Sequence, residues 1–163
     1  MKKITRDLTG EVLDKAKKAS RKRCNYNFHS DHSDPINRML NAVEPEAYFP
    51  PHKHEDPPKR EVFIILKGRA LFLEFTDKGD LADHVLLDPV KGAYGVEVAP
   101  AKWHSLIPLE SSVLYEIKDG PYEEHRDKIF ADWAPRENGP GINEYVNRIK
   151  KEVLGEDNKS PIR

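Results

Sequence analysis

Cysteine is almost absent from the sequence, since Cys24 is the single thiol among 163 residues. One cysteine cannot form a disulfide within the chain, which is typical of a reducing compartment, and we expect the protein to be cytoplasmic. Long apolar runs are missing too, because the longest covers only residues 62–66, whereas a membrane-spanning helix needs about 20. The charged residues 1–7 lead into no apolar leader segment, so we expect neither secretion nor a membrane partner.

Neither basic nor acidic residues are in excess. Lysine and arginine number 27, aspartate and glutamate number 28, and the formal net charge is -1 at pH 7. Domains that bind nucleic acids present a basic surface to the phosphates, so we expect no nucleic-acid partner. Charged residues still make up 34% of the chain, which indicates a polar surface around one modest core. We expect a single domain over residues 1–163.

The sequence does contain a clear change of hydrophobic period. Residues 9–20 place apolar side chains at helical spacing, with Thr9 as the expected N-cap. From about residue 22 to 120 the period is two, interrupted by turns of glycine, proline and aspartate, which predicts an antiparallel sandwich or barrel. A charged extension with a final helix is predicted over about 121–155. The main strands are predicted at residues 38–43, 61–66, 69–75, 84–87, 94–98, 105–107 and 113–118.

Four residues have the chemistry of metal ligands. His52 and His54 are two apart, so in a strand they would point to the same face. Glu61 heads the next strand on a face shared with apolar residues, where an unpaired carboxylate would be costly, and His104 opens a later strand. Three imidazoles and one carboxylate suit one divalent transition metal per chain, such as iron, manganese, nickel, cobalt or zinc. The histidine pair alone would also fit a solvated loop, because prolines flank it.

The order of these residues resembles the two motifs of cupin proteins: His-x-His, a glutamate that precedes Gly68, and Pro-x-x-Trp-His. The resemblance implies a fold dominated by β-structure, a cupin-type, jelly-roll-like antiparallel β-barrel with short N- and C-terminal helices. It implies His52, His54, Glu61 and His104 as metal ligands. Further stretches are similar to the WbuC family of cupin-fold metalloproteins, at residues 23–29, 34–35, 38–40, 48–54, 120–122 and 127–135. The resemblance to this family implies a link to surface polysaccharide biosynthesis.

The identity of the carboxylate ligand stays open at this point. In general cupins the glutamate follows the second histidine by four or five residues, whereas Glu61 follows His54 by seven. Glu55 and Asp56 are therefore rival ligands. Glu61 is preferred because its spacing to Gly68 is the usual one, and a proline-containing loop can hold the extra residues.

A polar strand face is the main candidate for substrate binding. Asn25, Asn27 and His29 alternate with aromatic residues, so their side chains either line a cavity or form the solvent face of an edge strand. In a cavity, Asn25 and Asn27 would bind a polar substrate by hydrogen bonds, and His29 would move a proton. Arg38 is a candidate for binding an anionic substrate group, with a surface ion pair as the alternative.

Tyr115 and Glu116 are neighbours on a late strand, so they face opposite sides, and whichever faces inward is a candidate proton carrier. We expect a metal-dependent enzyme for a small polar substrate such as a sugar or sugar derivative, with isomerase or epimerase chemistry. Two alternatives stay open: a non-haem iron dioxygenase, and a metal-dependent binding module without catalysis. The outer face of residues 62–66 is apolar and must be covered by a second sheet, a helix or another subunit, and by analogy we expect a homodimer.

Overall fold

The first helix begins earlier than predicted. In the computed structural model, which describes residues 1–155, α1 covers Arg6–Lys18. The N-cap is Thr5, whose hydroxyl accepts a hydrogen bond from the N–H of Leu8 at 3.2 Å. Thr9 was the wrong choice of cap, because it lies inside the first turns and its hydroxyl donates to the carbonyl of Arg6.

We expect Thr5→Ala to lower the free energy of unfolding by about 1 kcal/mol, because the N–H of Leu8 loses its acceptor at the start of the helix. Thr9→Ala is the matched control, and it should stay within about 0.5 kcal/mol of the wild type. Urea unfolding followed by circular dichroism measures both variants. An equal loss of stability in the two would contradict the capping assignment.

Ten strands form two antiparallel five-stranded sheets. The first sheet has the order β1-β2-β9-β4-β7, and the second has the order β10-β3-β8-β5-β6. The strands are β1 (Arg23–Asn27), β2 (Ile36–Val43), β3 (His52–Lys53), β4 (Glu61–Lys67), β5 (Ala70–Phe75), β6 (Leu81–Leu87), β7 (Gly95–Val98), β8 (Trp103–Pro108), β9 (Ser112–Asp119) and β10 (Ile129–Phe130).

The sheets and helices stack in four layers. Alternation along each strand sends one set of apolar side chains between the sheets, including Phe63, Ile65 and Phe72. The outer face of the first sheet packs against α1, and the outer face of the second packs against α2, which covers Ile142–Leu154. The outer face of the first sheet is thus covered where α1 contacts β1, β2 and β9, and that of the second where α2 packs on β5 and β8, which explains why β5 is apolar on both faces.

The predicted fold class is confirmed: two antiparallel sheets form a sandwich with a helix near each end of the chain. Each of the seven predicted strands corresponds to a strand of the structure. The two-residue strands β3 and β10 were not predicted as such, and β10 joins the second sheet from beyond the expected barrel limit at residue 120. Among residues 1–155, no helix has the length and apolar character needed to cross a membrane.

Candidate metal centre

The four expected metal ligands, His52, His54, Glu61 and His104, meet between the two sheets. One ligand atom from each lies within 4.8 Å of the ligand atoms of the others, and all four residues are buried. Strand pairing produces this arrangement, because β3 sets His52 opposite His104 of β8. Glu61 begins β4 on its inward face and approaches the histidines from the opposite sheet.

Backbone carbonyls orient all three imidazole rings. Nδ1 of His52 lies 3.1 Å from the carbonyl oxygen of Pro50, and Nδ1 of His104 lies 2.9 Å from that of Lys102. Nδ1 of His54 contacts the carbonyl of Asp127 in the same way. A carbonyl oxygen can only accept a hydrogen bond, so Nδ1 of each ring carries the proton. Each neutral ring is thereby left with a free lone pair on Nε2, the arrangement found around metal-bound histidines.

Several polar atoms at the centre of this cluster have no hydrogen-bond partner. His104 Nε2 lies 2.8 Å from Oε2 of Glu61, and His54 Nε2 lies 3.2 Å from Oε1. Neither nitrogen, nor Glu61 Oε2, makes a hydrogen bond of acceptable geometry within residues 1–155. Lone pairs opposed at such distances repel one another unless a proton or a cation lies between them. The set of donor atoms therefore fits a divalent transition-metal ion.

The structure brings Glu61, and neither of its rivals, to the histidines. Glu55 forms an ion pair with Lys53 at 2.9 Å, and Asp56 forms one with Arg126 at 3.2 Å. Both rival carboxylates are exposed, whereas Glu61 is 2% exposed. The preference for Glu61 from sequence spacing agrees with this geometry.

Burial and contact determine the charge states of the cluster. Burial lowers the pKa of His52 well below its ordinary value, because desolvation disfavours the charged ring. Burial alone would raise the pKa of Glu61, but hydrogen-bond donors or positive charge on the side of His104 and His54 lower that pKa well below its usual range. At neutral pH His52 is therefore a neutral imidazole and Glu61 an ionised carboxylate, which are the forms that bind metal ions.

A polar cavity of about 680 Å³ opens beside the cluster. A smaller pocket of about 50 Å³ adjoins it against Glu61 and His104. His52, Asn41 and Glu116 line both spaces. The smaller pocket is large enough for an ion with a water molecule or one substrate group, and the larger one can hold a small organic molecule.

The expected substrate-binding residues divide into two groups. Asn25, Asn27 and His29 line the large cavity, so the polar face of β1 and of the residues after it looks inward. Arg38 does not line it, because its guanidinium bonds to Asp34 at 2.6 Å and its side chain lies on the outer face of β2. Tyr115 also lies on the outer face, where it packs beside α1, and we place neither residue in the site.

Glu116 of β9 faces inward and borders both spaces. The side-chain amide of Asn41 donates a hydrogen bond to Oε2 of Glu116. Desolvation, and then the negative charge of Glu61, raise the pKa of Glu116 above its ordinary value. A raised pKa moves a carboxyl group toward neutrality, where it can both accept and release a proton.

The segment between β9 and β10 contributes residues that sequence reasoning missed. Asp127 is 2% exposed, and its carboxylate binds the ammonium groups of Lys59 at 2.6 Å and Lys118 at 2.7 Å. Its backbone carbonyl orients His54, and the next residue, Lys128, lines the cavity. This segment has no regular hydrophobic period, so the charges of Asp127 and Lys128 were the only signal that the sequence offered.

Comparison with known proteins identifies the family. The model of the family described as "Domain of unknown function (DUF6016)" matches residues 4–87, just over half of the 163 residues, so the chain belongs to this family. The matched range includes His52, His54 and Glu61, while His104 lies beyond it. A search of curated proteins found no match.

Several solved structures have a similar fold at low sequence identity. The capsular polysaccharide assembling protein CapF from Staphylococcus aureus superposes with a TM-score of 0.58 at 16% identity, and the match covers 69% of this chain but only 30% of CapF. L-ribose isomerase from Cellulomonas parahominis gives 0.52 at 14% identity, over 69% of this chain and 70% of the isomerase. A structure of the DMSP lyases RdDddP and RnDddQII gives 0.50 at 16%, over 68% and 53%. These similarities show the fold alone, which is cupin-like.

Proposed function

We propose that this member of the DUF6016 family is a metal-dependent enzyme that isomerises or epimerises a small polar substrate, such as a sugar or sugar derivative. The observation that carries the proposal is the cluster of His52, His54, Glu61 and His104, whose unpartnered atoms point to one centre at the edge of a polar cavity. A metal bound there would supply a Lewis acid for substrate oxygens. The inward carboxyl of Glu116 adds a group that can move a proton.

The chain's own residues would bind and orient the substrate. Asn25 and Asn27 present amide groups to the cavity, and amides both donate to and accept from hydroxyl groups. His29 is held by the backbone of Arg38, whose N–H and carbonyl oxygen both lie 3.1 Å from Nδ1. Nε2 is left for the substrate, as a donor or an acceptor according to the tautomer.

Glu116 is proposed as the group that takes a proton from a substrate carbon next to a carbonyl and, in an isomerisation, returns it to the neighbouring carbon. An epimerisation would need a second group to protonate the opposite face. Glu116 borders the pocket beside Glu61 and His104, whereas His29 lines only the larger cavity. The hydrogen bond from Asn41 fixes one oxygen of Glu116 and leaves the other for the substrate. We therefore assign the main proton transfer to Glu116 and a supporting one to His29.

A role in surface polysaccharide biosynthesis is also proposed. It is supported by the resemblance of residues 23–54 and 120–135 to the WbuC family. One of the proteins with a similar fold, CapF, is itself described as assembling capsular polysaccharide. Deletion of the gene, followed by analysis of the surface sugars of the cell, tests this assignment.

We expect Glu116→Gln to slow proton transfer by about 10²- to 10⁴-fold while leaving the metal content unchanged. The measurement is proton exchange between D₂O and a panel of aldoses and ketoses, followed by NMR, because isomerisation and epimerisation both exchange a carbon-bound proton. Glu97→Gln is the matched control, since Glu97 is exposed on β7, and it should exchange at the wild-type rate.

Metal analysis of the purified protein accompanies this assay. Exchange that persists in Glu116→Gln would contradict the role of Glu116. Iron in the protein together with substrate-dependent oxygen consumption, in place of proton exchange, would favour the dioxygenase alternative. A metal-loaded protein that binds sugars without exchange would favour the binding module.

A further inference from the structure

Lys128 occupies an unusual position in the cavity. It lies between Asp127 and β10, and it lines both the large cavity and the small pocket at the metal centre. Within residues 1–155, its ammonium group makes no hydrogen bond and no ion pair. Lys128 is exposed and lines the cavity wall. The charges of Glu61, Glu116 and Asp127 act on it, but none of these carboxylates pairs with it directly, so its ammonium group is free to bind an anion that enters the cavity.

The charges around Lys128 make the cavity more positive. On one side Arg21 and Arg23 share the single carboxylate of Glu137, at 2.6 and 2.9 Å. Arg21 and Arg23 both line the cavity, and burial lowers the pKa of Arg23 to about 10, which leaves it charged at neutral pH.

A second cluster also has two cationic side chains for one carboxylate. Lys59 and Lys118 share the carboxylate of Asp127, and Lys118 lines the cavity. Each of the two carboxylates thus serves two cations, while Lys128 has no carboxylate partner. The further acidic residues at the cavity are Glu116, which has a raised pKa, the exposed Glu124, and Glu61 in the adjoining small pocket. Four cationic side chains line the large cavity, and they would attract an anionic group of a ligand.

A hydrogen-bond donor in the same cavity has no partner either. Asn37 is 2% exposed and lines the cavity from β2, and its Nδ2 makes no hydrogen bond within the described residues. Buried amide nitrogens almost always have an acceptor in native proteins. The free donor of Asn37 therefore also points to a ligand rich in oxygen atoms.

We infer that the ligand of this cavity carries an oxyanion, a carboxylate or a phosphate on a small polyhydroxylated molecule, and that Lys128 binds that group. The inference rests on the proposed function for the metal centre and adds the class of substrate. Lys128 is a binding residue here, and Asn25, Asn27 and Asn37 bind the hydroxyl groups. A neutral sugar of the same size would leave the ammonium group without a partner.

Matched ligands separate charge from shape. D-gluconate and D-sorbitol have the same number of carbons and similar hydroxyl groups, but only gluconate is charged. Inorganic phosphate distinguishes a phosphate site from a carboxylate site. Isothermal titration calorimetry on the metal-loaded protein should show gluconate or phosphate binding at least about 10-fold more tightly than sorbitol, because a desolvated ion pair contributes this much.

Lys128→Met should weaken the binding of the preferred anion by about 10- to 100-fold and leave sorbitol unaffected. Without ligand, this variant should melt within about 2 °C of the wild type, because substitutions of exposed side chains have small effects on stability. Lys128→Arg should retain anion binding. Lys78→Met, in the exposed turn after β5, is the matched control and should behave as the wild type.

The results that would contradict the inference differ from those that would contradict the proposed function. If gluconate and phosphate bind no more tightly than sorbitol, or if Lys128→Met binds them as the wild type does, the inference is overturned. A lower melting temperature of Lys128→Met with unchanged anion affinity would assign Lys128 a structural role and would overturn it as well. Loss of metal from the wild-type protein itself would instead count against the proposed function, and metal content is therefore measured in every sample.

Discussion

Alanine at position 104 is expected to reduce the metal content of the purified protein from about one ion per chain to about a tenth or less. His104 contributes one of the three imidazoles, and its Nε2 lies 2.8 Å from Glu61. The variant retains only two histidines and one carboxylate. The imidazole that it loses is the one that the pairing of β3 with β8 places opposite His52. Elemental analysis of untagged protein, prepared without added metal, provides the measurement.

Thermal unfolding provides a second test of metal binding by His104→Ala. A metal present at a thousand times its dissociation constant stabilises the native state by about 4 kcal/mol, and His104→Ala should lose this gain. In the absence of metal the variant should be no less stable than the wild type, because crowded polar atoms around Glu61 are relieved. A variant that is equally destabilised with and without metal would show that His104 is a packing residue.

Matched substitutions test the ligand assignment. His84 is exposed on β6, so His84→Ala should keep full metal content. Glu61→Gln should lose the metal, while Glu55→Gln should retain it, because Glu55 pairs with Lys53 away from the cluster. Metal loss in Glu55→Gln together with retention in Glu61→Gln would show that the carboxylate has been assigned wrongly.

Replacing Asp127 with asparagine is expected to lower the free energy of unfolding by about 3–5 kcal/mol. Asp127 is the common partner of Lys59 and Lys118, and the three groups are almost completely buried. Asparagine has the same shape but no charge, so two desolvated ammonium groups would be left without a counter-charge. Asp132→Asn is the matched control in the same part of the chain, because its side chain is 97% exposed, and it should be close to neutral.

The effect of Asp127→Asn should depend on pH. Burial alone would raise the pKa of Asp127, but Lys118 and Lys59 outweigh it and lower that pKa. A carboxylate with a lowered pKa in the folded state stabilises the protein above its unfolded pKa of about 4. This contribution is lost as the pH falls through the folded value. The difference in stability between wild type and variant should therefore be largest at neutral pH and shrink in acid, and a constant difference would point to lost packing instead.

The strands of the two sheets could be predicted because the apolar residues that are buried also recur with the period of two that is typical of a β-strand. In β4, Glu61, Phe63 and Ile65 face the core while Val62 and Ile64 face outward, as the period of two required. The start of α1 was predicted too late in the sequence, because Thr5 and Thr9 are chemically equivalent N-caps. Only the packing of α1 on the sheet selects Thr5. Strands of two residues, such as β3 and β10, have no period to detect.

The candidate metal ligands could be predicted because few residue types bind transition metals and their order resembled the cupin motifs. The candidate proton carriers were His29, Tyr115 and Glu116, and the register of β9 turns Glu116 inward and Tyr115 outward. Arg38 was expected to bind an anionic group, but it bonds to Asp34 on the outer face of β2. The cationic side chains that line the cavity are those of Arg21, Arg23, Lys118 and Lys128.

The sequence by itself determined which side chains alternate toward the core, and with them the two-sheet fold and the four ligands. Only the tertiary structure decided which charges meet across the chain. Asp127 is 68 residues from Lys59, and its carbonyl orients His54 from 73 residues away. The period of apolar residues describes one strand at a time, and it carries no information about contacts between segments that are distant in the sequence. Those contacts follow from the packing of the two sheets, which places the segment after β9 over the metal centre and Lys128 inside the cavity.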